Sequence, residues 1–224
     1  MEGELLSVFQ RAQMMMNKNS ISLNNSGKKF NRDWIFKNID YEFESGNAYA
    51  ITGYNGSGKS TLLQCIAGSM ALSTGTLNIK NANQSTIPVE NFFKELAICA
   101  PYLELVEEMT TIEMLQFHQN FKPFYAAISI PEIITTIGLE KATHKQIRHF
   151  SSGMKQRLRL AQAVFSNCPI LLLDEPCSNL DKDGYRLYHQ LINQYCKDKL
   201  IIICSNEEAE IEICTKRLNI VDYK

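Results

Sequence analysis

The stretch "ITGYNGSGKST", Ile51 to Thr61, sets Gly53, Gly56 and Gly58 directly behind the short apolar run "AYAI". Glycine loses more backbone freedom on folding than any other residue, so a cluster at a strand end needs a reason. An ordinary turn is satisfied by one glycine beside an Asn or Asp. The spacing Gly53-x-x-x-x-Gly58-Lys59-Ser60 instead fits a P-loop, whose successive N–H groups cradle phosphate. A helix beginning near Ser60 adds its positive end to that cradle. Lys59 is then placed to reach the β and γ phosphates, and the Ser60 hydroxyl to ligate Mg²⁺. The segment "STLLQCIAG" supplies the helix, with apolar residues at helical spacing and a stop at Gly68.

Elsewhere strands and helices alternate. From Ile21 to Phe43 the pattern predicts short strands, with "SGKKFNRDW" as a turn-rich connector and "IFKNIDYEF" as an alternating strand. Residues from about Met109 to Phe165 read as mostly helical, with "PEIITTIGLE" entering through a proline. Strands return at "PILLLD" and "KLIIICS", separated by the helical "DGYRLYHQLINQYCKD", and "RLNIVD" reads as a closing strand. Apolar strands alternating with helices predict a parallel sheet covered on both faces. A helical block is inserted between the glycine loop and the "LLLD" strand. Residues 1–19 carry no partner pattern and read as a solvated N-terminal extension to a domain spanning 20–224.

Composition narrows the partners. The 224 residues, 45% hydrophobic and 21% charged, suit a globular chain with a sizeable core. A net charge of -1 argues against broad attraction to nucleic acid. The longest apolar runs, such as Leu200–Cys204, are too short to cross a bilayer, so service to a membrane would run through a partner. Seven scattered cysteines without a C-x-x-C pair predict free buried thiols in a reducing compartment. The acidic start "MEGELLSVFQ" lacks the sustained apolar core of a signal peptide, and a cytoplasmic location is expected.

Two further motifs carry chemistry. In "ILLLDEP", four apolar residues form a buried strand, and Asp174 and Glu175 emerge at its carboxyl end, the edge where open α/β sheets bind ligands. Asp174 there can hold Mg²⁺ through water, and Glu175 can orient or deprotonate an attacking water. In "FSSGMKQRLRLAQAV", Ser and Gly open a helix whose first N–H groups can receive a second anion. Taken alone, that segment reads as an ordinary N-capped helix with a basic face.

Together these motifs resemble the ATP-binding cassette family, the ATPase subunits of ABC transporters. "GYNGSGKST" is similar to Walker A, "ILLLDEP" to Walker B, and "FSSGM" to the signature usually written LSGGQ. Ser151 precedes Asp174 by 23 residues, as in the family, and "SNLD", Ser178 to Asp181, resembles the D-loop. The resemblance covers roughly Ile21 to Lys224. It implies an α/β P-loop NTPase fold with a RecA-like core sheet, an antiparallel β flank and an inserted α-helical subdomain at about 102–165. It implies ATP and Mg²⁺ as cofactors, and two cassettes, identical or different, facing head to tail. Gly53, Asn55, Gly56, Ser57, Gly58, Lys59, Ser60 and Thr61 of one subunit would hold a nucleotide that Ser151, Ser152 and Gly153 of the other touch. Asp174 and Ser60 would serve the metal, and Glu175 and Lys59 the chemistry. Phe30 resembles the aromatic that stacks on adenine, with Trp34 as the alternative. A transmembrane permease on another chain would set the protein at the inner face of the cell membrane, with no nucleic-acid partner.

The chain departs from the family at two positions. Tyr102 in "AICAPYLELVEEMT" stands where the family has a Gln that contacts Mg²⁺ and couples to the permease. A tyrosine hydroxyl is a poor Mg²⁺ ligand, although it can bond through water. Asn206 in "IIICSNEEAE" stands where the family has a His touching the γ-phosphate. Asn donates a hydrogen bond but carries no charge and transfers no proton. Ser152 for Gly and Met154 for Gln in the signature are milder changes. Tyr102 and Asn206 bear on hydrolysis and coupling, not on nucleotide binding. The sequence thus leaves open a hydrolysing transporter subunit and a nucleotide-gated subunit that hydrolyses weakly or not at all. A soluble ABC ATPase acting on nucleic acid is disfavoured by the near-neutral charge and the absence of a second cassette.

Overall fold

A computed structural model describes residues 18–224, so most of the 1–19 extension lies outside the described residues. The chain runs β1 (Ser20–Phe30), β2 (Asp33–Glu44), β3 (Ala48–Thr52), α1 (Lys59–Ile66), β4 (Thr74–Lys80) and β5 (Leu96–Cys99). It continues through α2 (Thr111–Phe121), α3 (Ile130–Thr136), α4 (Ser152–Phe165) and β6 (Ile170–Asp174). It closes with α5 (Lys182–Tyr195), β7 (Leu200–Cys204), α6 (Glu208–Ile211) and β8 (Lys216–Asn219). Five strands form a parallel sheet in the order β5-β6-β7-β3-β8, and β2-β1-β4 form an antiparallel sheet.

Two sequence expectations need correction, and one strand went unassigned. The stretch "SGKKF" is strand rather than connector, and β1 meets β2 across a turn of only Asn31 and Arg32. Asn31 takes the left-handed region at φ 52, which its short polar side chain tolerates. The turn-forming residues are absorbed because β2 pairs with β1 as far as Phe30 through register shifts near Ser26 and Lys28, while β4 reaches along it only to Gly27. Strand β4, to which the sequence reading assigned no element, turns Leu77 and Ile79 toward the core and leaves Thr76, Asn78 and Lys80 exposed. "RLNIVD" leaves the sheet at Asn219, whose side chain accepts from the Val221 N–H at 3.2 Å and opens a 3₁₀ turn over Ile220–Tyr223.

The helical stretch before β6 resolves into α2, α3 and α4, with the 3₁₀ turns Glu140–Ala142 and Ile147–His149 in the connection from α3 to α4. Thr110 with Glu113 and Ser129 with Glu132 form reciprocal capping boxes that start α2 and α3. Among the described residues no helix is long and apolar enough to cross a membrane.

Strand β6 explains the layering. All five of its residues are buried, the signature of a strand covered on both faces. Leu171 and Leu173 face a cluster containing Leu158 and Leu160 of α4 and Tyr188 and Leu191 of α5. Ile170 and Leu172 face the opposite cluster, with Leu62, Leu63 and Ile66 of α1 and Phe36 and Phe43 of the antiparallel sheet. Leu172→Ala should therefore lower unfolding stability by about 2–5 kcal/mol, the cost of a lost core side chain plus its cavity. Chemical denaturation measures it, and a loss below about 1 kcal/mol would contradict close packing of α1 on this sheet.

Candidate functional site

Parallel register gathers the site at one sheet edge. Asp174 aligns with Cys204, and Cys204 with Ile51, so β6, β7 and β3 end side by side. The glycine loop leaves β3 there and feeds α1. Gly58, at φ 104, lies so close to β2 that an added Cβ would sit 2.3 Å from Ile35 Cγ2. Only glycine satisfies both conditions. Lys59, 6% exposed, donates its ammonium to the Gly53 carbonyl at 2.7 Å and more weakly to that of Tyr54 at 3.4 Å. The loop thus curls around its own lysine. From outside, the Lys224 ammonium donates to Ser57 O at 2.6 Å and Ile35 O at 2.8 Å, tying the loop to β2. No sequence signal marked Lys224, because both of its partners are backbone carbonyls.

Asp174 is 1% exposed, and neither carboxylate oxygen has a hydrogen-bond partner. Burial holds its pKa above the ordinary aspartate value, the neighbouring Ser60 hydroxyl and Lys59 ammonium opposing the shift and Glu175 reinforcing it. An orphaned buried carboxylate beside a serine hydroxyl is a donor set that fits a hard divalent cation such as Mg²⁺. Glu175 follows with its backbone in the left-handed region at φ 43, its N–H donating to Cys204 O at 2.9 Å. It shares a cavity of ≈ 210 Å³ with Asn55, Gly56, Gly58, Lys59, Ser60 and Thr61.

Tyr102 and Asn206 both lie at this edge. Asn206 Oδ1 accepts from the Gly53 N–H at 3.0 Å, and Nδ2 points at Asn55 Oδ1, 3.5 Å away. Because a backbone N–H needs an acceptor, this bond orients the Asn206 amide with its NH₂ toward the loop. Tyr102 stands beside Gln64 and Asp174. Burial pushes its phenol up to about 12, with Gln64 opposing and Asp174 adding to the rise. It therefore presents a neutral O–H rather than a phenolate.

Strand alternation separates Phe30 from Trp34. Phe30 pairs with Asp33 and Lys29 with Trp34, so the two aromatic rings lie on opposite faces of the hairpin. Trp34 rests on Gly27, whereas Phe30 shares its face with Ile35, the residue against Gly58. Phe30 is 46% exposed, with the Lys28 ammonium 5.1 Å from its ring centre.

Ser151, Ser152 and Gly153 are set apart. Ser151 caps α4, its Oγ accepting from the Met154 N–H at 3.2 Å. These residues line a different cavity of ≈ 700 Å³ with Asn179 and Asp181, and share none of its lining with the glycine-loop cavity. All seven cysteines are free and buried.

Residues 36–178 match the family described as ABC transporter. The chain is 32% identical over 196 residues to the uncharacterized ABC transporter ATP-binding protein YybJ of Bacillus subtilis, covering 87% of this chain and 89% of that protein. It is 28% identical to the cytochrome c biogenesis ATP-binding export protein CcmA of Agrobacterium fabrum, covering 86% of this chain and 91% of the relative. Its fold superposes with a TM-score of 0.74 on MJ0796, a bacterial ABC transporter cassette solved as a dimer, at 21% identity over 89% of this chain and 94% of that one. The chain belongs to the ABC transporter family, whose ATP-binding domains are ATPases.

The buried acid yields a stability prediction. Because the folded pKa of Asp174 is raised, its ionised form is disfavoured in the fold. Stability is therefore lost as pH rises from the ordinary value of 3.8 through the folded one, and neutral pH carries the full penalty. Asp174→Asn should raise the melting temperature of nucleotide-free protein at pH 7 while abolishing Mg²⁺-dependent turnover. Calorimetry showing a lower melting temperature would mean the carboxylate has an internal partner after all.

Proposed function

We propose that the protein binds Mg-ATP at its glycine loop, pairs head to tail with a second cassette, and hydrolyses ATP to drive a permease carried on another chain. The observation that carries this reading is the split of the site. The glycine loop with Asp174 and Glu175 lines one cavity, while the capped start of α4 with Ser151, Ser152 and Gly153 lines another. A nucleotide seated on the first half meets the second only if another copy brings it. The dimer of the MJ0796 cassette and the export role in the name of the Agrobacterium relative support the pairing and the transport setting. A permease partner would place the protein at the inner face of the membrane.

The chemistry is positioning plus charge stabilisation. Lys59 would turn from the Gly53 carbonyl to the β and γ phosphates, with the N–H groups of Gly56, Gly58 and Lys59 around the phosphate chain. Phe30 would stack on the adenine ring. Ser60 and Asp174 would hold Mg²⁺, which neutralises charge on the phosphates, and Tyr102 would act only through water. Glu175 would orient a water in line with the γ-phosphorus and take its proton as the bond to the bridging oxygen breaks. Asn206 would offer its NH₂ to the γ-phosphate oxygens.

Lys59→Ala removes a charge-assisted contact of about 1.5–3 kcal/mol and should weaken ATP binding about tenfold to hundredfold. Unchanged affinity in a titration would sink the assignment of the loop. Glu175→Gln should keep ATP, lose turnover and accumulate as a dimer in sedimentation.

Asn206 favours the second reading, slow hydrolysis. A well-aimed donor to developing charge is worth about 10²–10³ in rate, and a neutral amide supplies part of that. Asn206→His should raise turnover, and Glu175→Gln should abolish the gain. Turnover unchanged or lowered by His would show that Asn206 is a fitted part of a working site.

A further inference from the structure

A chain of side chains, buried at Gln156 and half-buried at Arg159, joins the loop after β5 to the turn after β6, and it runs through α4. Gln156, 1% exposed, donates Nε2 to the Pro176 carbonyl at 2.7 Å and faces the Cys99 sulfur at 3.6 Å. Its Oε1 accepts from Arg159 Nη1 at 3.3 Å. Arg159, one helical turn on and on the same face, donates Nε to the Leu103 carbonyl at 2.8 Å. A guanidinium carries donors only, so Arg159 decides which way the Gln156 amide faces: oxygen toward Arg159, NH₂ toward Pro176.

Each end of this chain adjoins the site. Pro176 follows Glu175, whose backbone is held in the left-handed region at φ 43. The turn is gripped from its other side by Glu210, whose Oε1 accepts from the Cys177 N–H at 2.7 Å. Strain of this kind persists only where surrounding contacts over-determine it. Leu103 follows Tyr102, the residue beside Asp174. Neither Gln156 nor Arg159 lines the glycine-loop cavity.

We propose that Arg159 and Gln156 are positioning residues, a relay that transmits the setting of the Tyr102–Leu103 loop to the turn carrying Glu175. The relay governs turnover and leaves ATP affinity untouched. It rests on the reading of Glu175 as the group that orients water.

The test measures ATP affinity by titration and steady-state turnover for Arg159→Met, Gln156→Leu, the double variant and Glu175→Gln. Each single relay variant should lower kcat about tenfold, the size of one lost hydrogen bond to a charged or buried partner. ATP affinity should stay within about twofold of native, which also reports an intact fold. The double variant should be no slower than the slower single, because the two residues act as a unit. Gln156→Glu keeps the bond to Arg159 but cannot donate to Pro176, and it should slow turnover as Leu does. Native kcat in the single variants, additive losses in the double, or ATP affinity falling in step with kcat would each overturn the relay. Native turnover in Glu175→Gln would instead defeat the reading of Glu175, and the relay would then have no target.

Discussion

The parallel pairing of β3 with β7 and β8 is the constraint on which everything at the site depends. It aligns Ile51 with Cys204 and Thr52 with Asn219, so the glycine loop, the Ser205–Asn206 turn and the Ile220 turn leave the sheet at one level. Ser205 N donates back to Ile51 O, and Asn206 accepts from Gly53 N. A register slip of one residue would move every inward side chain to the other face and pull these three segments apart. The fully buried strands β6 and β7 resist such a slip, since both of their faces are packed.

That rigid frame tolerates several locally unfavourable features. Asp174 is buried without a hydrogen-bond partner, and Glu175 holds a backbone conformation that L-residues seldom adopt. Gly58 closes the space against Ile35 at the entropic cost of a flexible residue. These features cluster where charge and phosphate are to be handled, and the surrounding apolar packing offsets them. Conflicts between local preference and global fold belong at functional sites. The polar contacts around them are correspondingly dense. Lys224 braces the loop from β2, Asn206 from β7, and Gln156 with Glu210 holds the turn after Glu175.

Tyr102 and Asn206 acquire a physical form in this setting. Tyr102 offers a neutral phenol next to Asp174, a carboxylate whose pKa burial raises above the ordinary value. Asn206 is a fixed hydrogen-bonding group rather than a titrating one, and its orientation is dictated by a backbone N–H.

The glycine loop behind a strand, the acid pair at a strand end and the alternation of apolar strands with helices were all legible in the amino-acid order. They depend on near neighbours: three glycines before Lys59, four apolar residues before Asp174, a serine at the head of α4. Turn-forming residues concealed the strand nature of "SGKKF", which exists because β2 pairs with it as far as Phe30. Periodicity could not show that Phe30 and Trp34 lie on opposite faces of the hairpin either, since pleat direction follows from pairing register. Lys224, Gln156, Arg159 and Glu210 stayed hidden for the same reason. Each bonds to a backbone group far away in sequence, and only the packed sheet and α4 bring that group within reach. The sequence by itself determined which chemistry the chain can perform. The tertiary structure decided which residues hold that chemistry in place, because backbone acceptors carry no residue identity and are brought together only by folding.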